Sequence, residues 1–341
     1  MRHSRMRLGL AAAGIAVAAA CTTGATTTAA AGSEARVAVV LDIGGCQDTA
    51  TLKLCEGLRR AMRRTGVQAR IVSPTVRESL ADVLGLIARQ RYDAVLLSGV
   101  YYDPRVAAVA RRYPKLPFVL MDGSRAEMAK APPNVAGEVL QTRAAAFLAG
   151  WLAAKLEQRR PGPDVVGAVG GFKVPGVTRF VDGFGAGARR AVPGVKVVVD
   201  YSNDFVDQHK CAALARRQIA RGAGTVFNVA GACGLGTMQA AGDAGIWAIG
   251  VDSDQSFLGP HVLTSVLKSF EAGFVDLFNR INAGTLHSGR DTILTMRDGA
   301  AGLGRISPEV PRTLVSQLRH LERRIVTGKL RVSAPRSNDG G

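Results

Sequence analysis

After residue 35 the chain alternates short apolar runs with longer amphipathic ones. "RVAVVLD", "ARIVSP", "YDAVLLSG" and "LPFVLMD" are Val/Ile/Leu-rich runs of strand length. Helical patterns lie between them. In "VRESLADVLGLIARQR", Val76, Leu80, Val83, Leu84 and Ile87 recur on one helical face. A second block repeats this alternation with "DVVGAVGG", a helix around Phe184 to Ala191, "VKVVVDYS", a helix through Gln218, "GTVFNVAG", another helix and "IWAIGVD". Between the blocks, "NVAG" leads into the helix "QTRAAAFLAGWLAAKLEQ". "HVLTSVLKS" reads as a further strand, followed by a helix with Phe270, Phe274, Leu277 and Ile281 on one face. The last helix places Val310, Leu314, Leu318, Leu321 and Ile325 together. Strand–helix alternation predicts parallel sheets flanked by helices, here an α/β protein of two similar lobes in tandem. The closing "VSAPRSNDGG" has no periodicity and is expected to be loose.

The first residues change the picture. Arg2, Arg5 and Arg7 precede an apolar stretch, Leu8 to Ala20, that is too short to span a bilayer as an ordinary helix. It ends in "VAAAC" and is followed by "TTGATTTAAAGSEA", the pattern of a bacterial lipoprotein signal, with lipid on Cys21 and a Thr/Ala tether behind it. Plain secretion is the alternative. The expected location is the extracytoplasmic face of the cell membrane, reached through that lipid anchor.

Export also bears on the cysteines. Cys46, Cys55, Cys211 and Cys233 remain after Cys21, an even number for an oxidising compartment. Three pairings are possible. Cys46–Cys55 and Cys211–Cys233 are preferred because each joins a strand-end loop to a neighbouring helix, and free buried thiols are the other reading. The formal charge of +17 is spread along the chain, which fits an arginine-rich surface or attraction to an anionic membrane. No nucleic-acid-binding motif or basic stripe is visible, so no nucleic-acid partner is expected.

Several runs end abruptly in polar groups. "RVAVVLDIGGCQD" stops at Asp42, "LPFVLMDGS" at Asp122, and "AIGVDSDQ" at Asp252. With Asp48, Lys268 and the loop aromatics Tyr101, Tyr102 and Phe172, they describe a cleft at strand ends, with acids for hydroxyl or amine groups and rings for a flat moiety. Singly, each has a plainer role as a helix cap or a packed ring. "GACGLG" from Gly231 lies between a strand and a helix, but its spacing is not that of a dinucleotide-binding loop, and a Gly-rich turn near a ligand is the better reading. "GFGAG" at Gly183 reads as close helix packing. GxxxxGK[ST], GxSxG and HExxH do not occur, and the five histidines have no ligand spacing. Neither a catalytic constellation, a metal site nor a cofactor is expected.

The order "VLDIGGCQD…EGLRRA", "LPFVLMDG", "NVAG…FLAGWLAA", "VGAVGG…RFVDGFGAGARRAVPGVKV", "VFNVAG", "IGVDSDQ" and "VLTSVLK" resembles the basic membrane protein family of ABC-transporter substrate-binding lipoproteins, several of which are similar to purine-nucleoside receptors. The likeness runs from Arg36 to about Val332. It implies a type I periplasmic-binding-protein fold: two Rossmann-like lobes, a three-strand hinge and a ligand between the lobes. The implied division is a signal peptide over 1–20, a lipidated tether over 21–35, an N-terminal lobe of 36–136 plus 263–291, a C-terminal lobe of 137–262 plus 292–332, and a disordered tail over 333–341. Crossings are expected near Asn134 to Gly137, near Leu263 to Ser265 and near Thr292. By the same resemblance Asp252 and Lys268 would grip a ribose, Asp122 would bond a base, and the loop after Gly45 would close over it. The implied function is an extracytoplasmic solute-binding protein, expected to be a monomer, that gives a nucleoside-like or sugar-like molecule to a membrane permease. A ligand sensor on the same fold, or a nucleoside-processing enzyme, are the alternatives. One departure stands out: after "DIGG" the family continues with a segment carrying a stacking Phe and an Asn, where this chain has "CQDTATLKLCEG".

Overall fold

A computed structural model of the chain describes residues 35–41, 45–47, 49–75, 77–99 and 104–333. They fall in the compact unit Glu34–Gly341. The expected signal, Cys21 and its tether, Asp42, Asp48, Val76, Tyr101, Tyr102 and nearly all of the C-terminal tail lie outside the described residues.

The first sheet is assembled from β1 (Arg36–Val40), β2 (Gln68–Val72), β3 (Ala94–Leu97), β4 (Phe118–Met121), β5 (Val135–Leu140) and β11 (Asp291–Leu294), in the order β11-β5-β4-β3-β1-β2. The second holds β6 (Val165–Gly170), β7 (Lys196–Tyr201), β8 (Thr225–Val229), β9 (Trp247–Asp252), β10 (Val262–Lys268) and β12 (Ala301–Leu303), in the order β12-β10-β9-β8-β6-β7. Every pairing is parallel except β10 with β12. The central strands β3, β4, β5, β6 and β8 are buried along their whole length, as continuous apolar runs covered on both faces should be. The outer strands β2 and β7 alternate partly exposed positions.

Helices α1 (Thr49–Thr65), α2 (Leu80–Ala88), α3 (Pro104–Arg112) and α8 (Phe270–Asn282) cover the first sheet. Helices α4 (Arg143–Glu157), α5 (Pro175–Ala191), α6 (Gln208–Ala220), α7 (Gly234–Asp243) and α9 (Arg312–Val326) cover the second. Leu80, Val83, Leu84 and Ile87 of α2 are buried. The "GFGAG" run does serve helix contact: a Cβ on Gly187 would lie 1.9 Å from the Phe147 carbonyl oxygen, and one on Gly150 would lie 2.0 Å from that of Phe184. Thus α4 and α5 touch backbone to backbone. Two disulfides, Cys46–Cys55 and Cys211–Cys233, tie strand-end loops to α1 and α6.

The chain passes between the sheets later than the expected boundaries place it. β5 continues to Leu140 within the first sheet, so the first passage lies at residues 141–142. The apolar run was cut short in the sequence by Glu138, yet this residue is fully buried and ion-paired to Arg280 of α8. β10 belongs to the second sheet through β9 and β12, which moves residues 263–268 out of the N-terminal lobe and the second passage to residue 269. β11 pairs with β5, so residues 292–294 stay with the first sheet and the third passage follows over 295–300.

Candidate functional site

Parallel sheets present their carboxyl ends to ligands, and here three charged residues from both sheets meet at such ends. β4 ends at Met121, and Asp122 follows with φ +57°. β9 ends in Asp252 itself, at φ +63°. Left-handed backbone is uncommon outside glycine, and Asp is among the few side chains that tolerate it. The register of β9 with β10 sets Leu267 opposite Asp252, which brings Lys268 alongside. The amide of Asp122 donates to the Glu138 carbonyl at 2.8 Å, fixing the turn onto β5.

Lys268 Nζ donates to Asp122 Oδ2 at 3.1 Å and lies 3.3 Å from Asp252 Oδ1. The Asp252 approach is a charge contact only: that oxygen is buried and accepts no hydrogen bond from the protein. Burial works against the Lys268 ammonium, but the charges of Asp122 and Asp252 outweigh it and hold the lysine above its ordinary range. The ammonium also sits over the rings of Phe270, at 4.8 Å from the centroid, and Phe180, at 5.6 Å.

The two acids of "VDSDQ" have different duties. Asp254 spends Oδ1 on the Ser256 amide and Oδ2 on the Arg305 amide. The Gln255 side-chain oxygen accepts from the Val251 amide, and the Gln255 backbone amide donates to Ser265 Oγ at 2.9 Å. These bonds hold the turn, and Asp252 is the acid left facing Lys268, with its side chain one-third exposed.

Phe172 and Gly231 follow β6 and β8, at the same end of the second sheet as Asp252. Phe172 is half-exposed and meets Phe205 edge-on at 5.2 Å. Phe205 fits closely between the two strand ends: a Cβ on Gly171 would lie 2.2 Å from its ring, and one on Gly231 would lie 3.4 Å from its carbonyl oxygen. The remaining glycines of "GACGLG" serve packing. Gly234 sits under the Asn228 side chain and Gly236 against the backbone of Gln208, with Cys233 of the same run bonded to Cys211.

The sequence reading missed Arg179, Glu127 and Phe205. Arg179 of α5 donates to the Asp122 carbonyl at 2.9 Å and carboxylate at 3.1 Å, and to Glu127 Oε1 at 3.2 Å. In the sequence it reads as one more surface arginine, because the feature that buries it, the turn after β4, is remote in the chain. Asp204 of "YSNDF" accepts from two backbone amides and Lys210, which marks the Phe205 loop as a built turn; only that local Asx pattern could have drawn notice to it. Among the described residues no cluster of three or more His, Cys, Asp or Glu is placed to hold a metal ion, and no helix is long and apolar enough to cross a membrane.

A family model described as "ABC transporter substrate-binding protein PnrA-like" matches residues 35–335. Basic membrane protein B of Borrelia garinii subsp. bavariensis is 30% identical over 253 residues, 73% of this chain and 71% of that protein. The ABC transporter nucleoside-binding protein BmpA of Lactococcus lactis subsp. cremoris is 27% identical over 234 residues, 63% of this chain and 64% of that protein. Among solved structures, an ABC transporter solute-binding protein from Aeropyrum pernix K1 is similar, with a TM-score of 0.73 and 22% identity over 89% of this chain and 95% of that one. A LacI transcriptional regulator from a Rhodococcus species shares the fold at a TM-score of 0.60 and 17% identity, covering 80% of this chain and 97% of that one.

Proposed function

Because the chain belongs to the PnrA-like family of ABC-transporter substrate-binding proteins, we propose that it binds a nucleoside-like solute between its two lobes and delivers it, as an extracytoplasmic lipoprotein, to a membrane permease. The observation that carries this reading is the meeting of Asp122, Asp252 and Lys268 from facing strand ends, with Asp252 Oδ1 buried and unbonded. An unsatisfied buried acceptor calls for a donor, and the vicinal hydroxyls of a ribose are suitable donors for one carboxylate. Lys268 offers its own donors beside it. The Phe172–Phe205 pair supplies ring surface at neighbouring strand ends, which suits a flat base.

The nucleoside-binding name of the Lactococcus lactis relative supports the same solute class. A binding protein of this kind already populates its closed form when free, and a ligand contacted by both lobes shifts the balance further to that form, which is the one that a permease receives. A thermal-shift series on the full chain tests the reading, using nucleosides, free bases, pentoses and amino acids. Nucleosides with different bases are expected to raise the melting temperature once above their dissociation constants. No rise with nucleosides, on protein stripped of carried-over ligand, would overturn the assignment.

A further inference from the structure

The turn over residues 122–127 is held from two sides. From its own sheet, Asp291 at the start of β11 accepts from Ser124 Oγ at 2.6 Å and from the Arg125 amide at 2.9 Å. From across the cleft, the α5 guanidinium of Arg179 reaches Asp122 through one terminal nitrogen and Glu127 through the other. Arg179 is 7% exposed, and the side chains of Asp122 and Glu127 are 13% and 7% exposed. This contact ties a helix of the second lobe to a turn of the first.

We propose that Arg179 is a positioning residue that converts lobe closure into the binding geometry of Asp122. The inference rests on the reading of the cleft as the solute site. A planar guanidinium with two terminal nitrogens can hold two acceptors in a fixed relation, which an ammonium cannot. Asp122 and Glu127 belong to one turn, and both bonds form only when α5 stands against that turn. Closure therefore sets Asp122 at φ +57° beside Lys268, while opening frees the turn on the side facing α5. In the open form Arg179 and the two acids recover hydration, so the clamp adds orientation more than net stability. Asp291 anchors the same turn to the strand that precedes the third passage between lobes, so the turn is linked to the hinge as well as to the opposite wall.

Hydrogen exchange on the full chain, without added solute, reads the clamp directly. Arg179→Met removes both arms of the clamp and Glu127→Met removes the arm to Glu127, and the second leaves α5 untouched. Both variants are expected to speed exchange of the 123–127 amides by about tenfold or more, with α4, α5 and both sheets at wild-type rates. Arg179→Lys, which keeps the charge without the fork, is expected to exchange like Arg179→Met. Wild-type exchange in the turn of both variants would overturn the proposal. So would a rise in α4 and α5 as large as that in the turn, because Arg179 would then only hold helix packing. In a second arm, calorimetric and stopped-flow binding of inosine is expected to weaken about tenfold in Arg179→Met, through faster release. If wild-type protein binds no inosine, the assignment of the cleft to nucleosides fails, and the exchange result still decides the clamp.

Discussion

Lys268, the last residue of a strand in one lobe, donates to Asp122, the first residue after a strand in the other, at 3.1 Å. The same ammonium approaches Asp252 on the adjacent strand end of its own sheet. One buried cation thereby organises two acids that the chain keeps 130 positions apart. Asp122 has a second cationic partner in Arg179, but Asp252 has no hydrogen bond to the Lys268-facing oxygen.

Asp252→Asn is expected to abolish, or weaken at least about a hundredfold, the binding of any nucleoside that the wild type takes. The fold should lose little, within about 1 kcal/mol, since the side chain is one-third exposed and Lys268 keeps Asp122. Titration calorimetry paired with denaturant unfolding separates the two effects. Unchanged affinity would remove Asp252 from the site.

Lys268→Met should destabilise the protein by about 1–3 kcal/mol, because it takes a cation from buried Asp122, which keeps Arg179, and from partly exposed Asp252. Adding Asp122→Asn to that variant is expected to recover part of the loss. A double-mutant cycle by urea unfolding measures the coupling.

Glu138 gives a pH signature. Burial pushes its carboxyl up to about 7, with Arg280 opposing the rise and sharing its guanidinium with Asp276. The folded protein therefore binds a proton more readily than the unfolded chain between about pH 4.5 and 7. Stability from this group is highest at the acid end of that window and falls as the pH rises through it. The expected fall, on the order of 3 kcal/mol for the whole shift, should be absent in Glu138→Gln. Unfolding free energies of both proteins across the window provide the check.

Gly187→Ala should cost about 2 kcal/mol or more, since its methyl group would fall on the Phe147 backbone and force α4 from α5. Gly194→Ala, where a Cβ would meet nothing, is the control. Thermal unfolding of the two variants is sufficient to compare them.

The alternation of apolar runs made the two α/β lobes legible, and the polar ends of those runs pointed to Asp122, Asp252 and Lys268. Lobe membership was less so. β5 hides a charged residue, Glu138, in its middle, and the pattern cannot show that Arg280, far along the chain, receives it. β10 carries an apolar run that would suit either sheet, and only its pairing with β9 and β12 assigns it. Arg179 is hidden for a related reason: it bonds a carbonyl and two carboxylates of the opposite lobe, which leave no local trace around "VTRFVDGF".

The positive φ angles at Asp122 and Asp252 have a consequence for how such a site can diversify. Glutamate would keep the charge, but its longer side chain lacks the short local hydrogen bonding that lets Asp and Asn occupy that conformation. The main chain thus favours Asp, Asn and Gly at both positions. Asn changes the hydrogen-bonding character of the group at constant size, and Gly deletes it. A lineage changing its solute would find few graded steps at these two acids, and would have to explore the loops and rings around them instead.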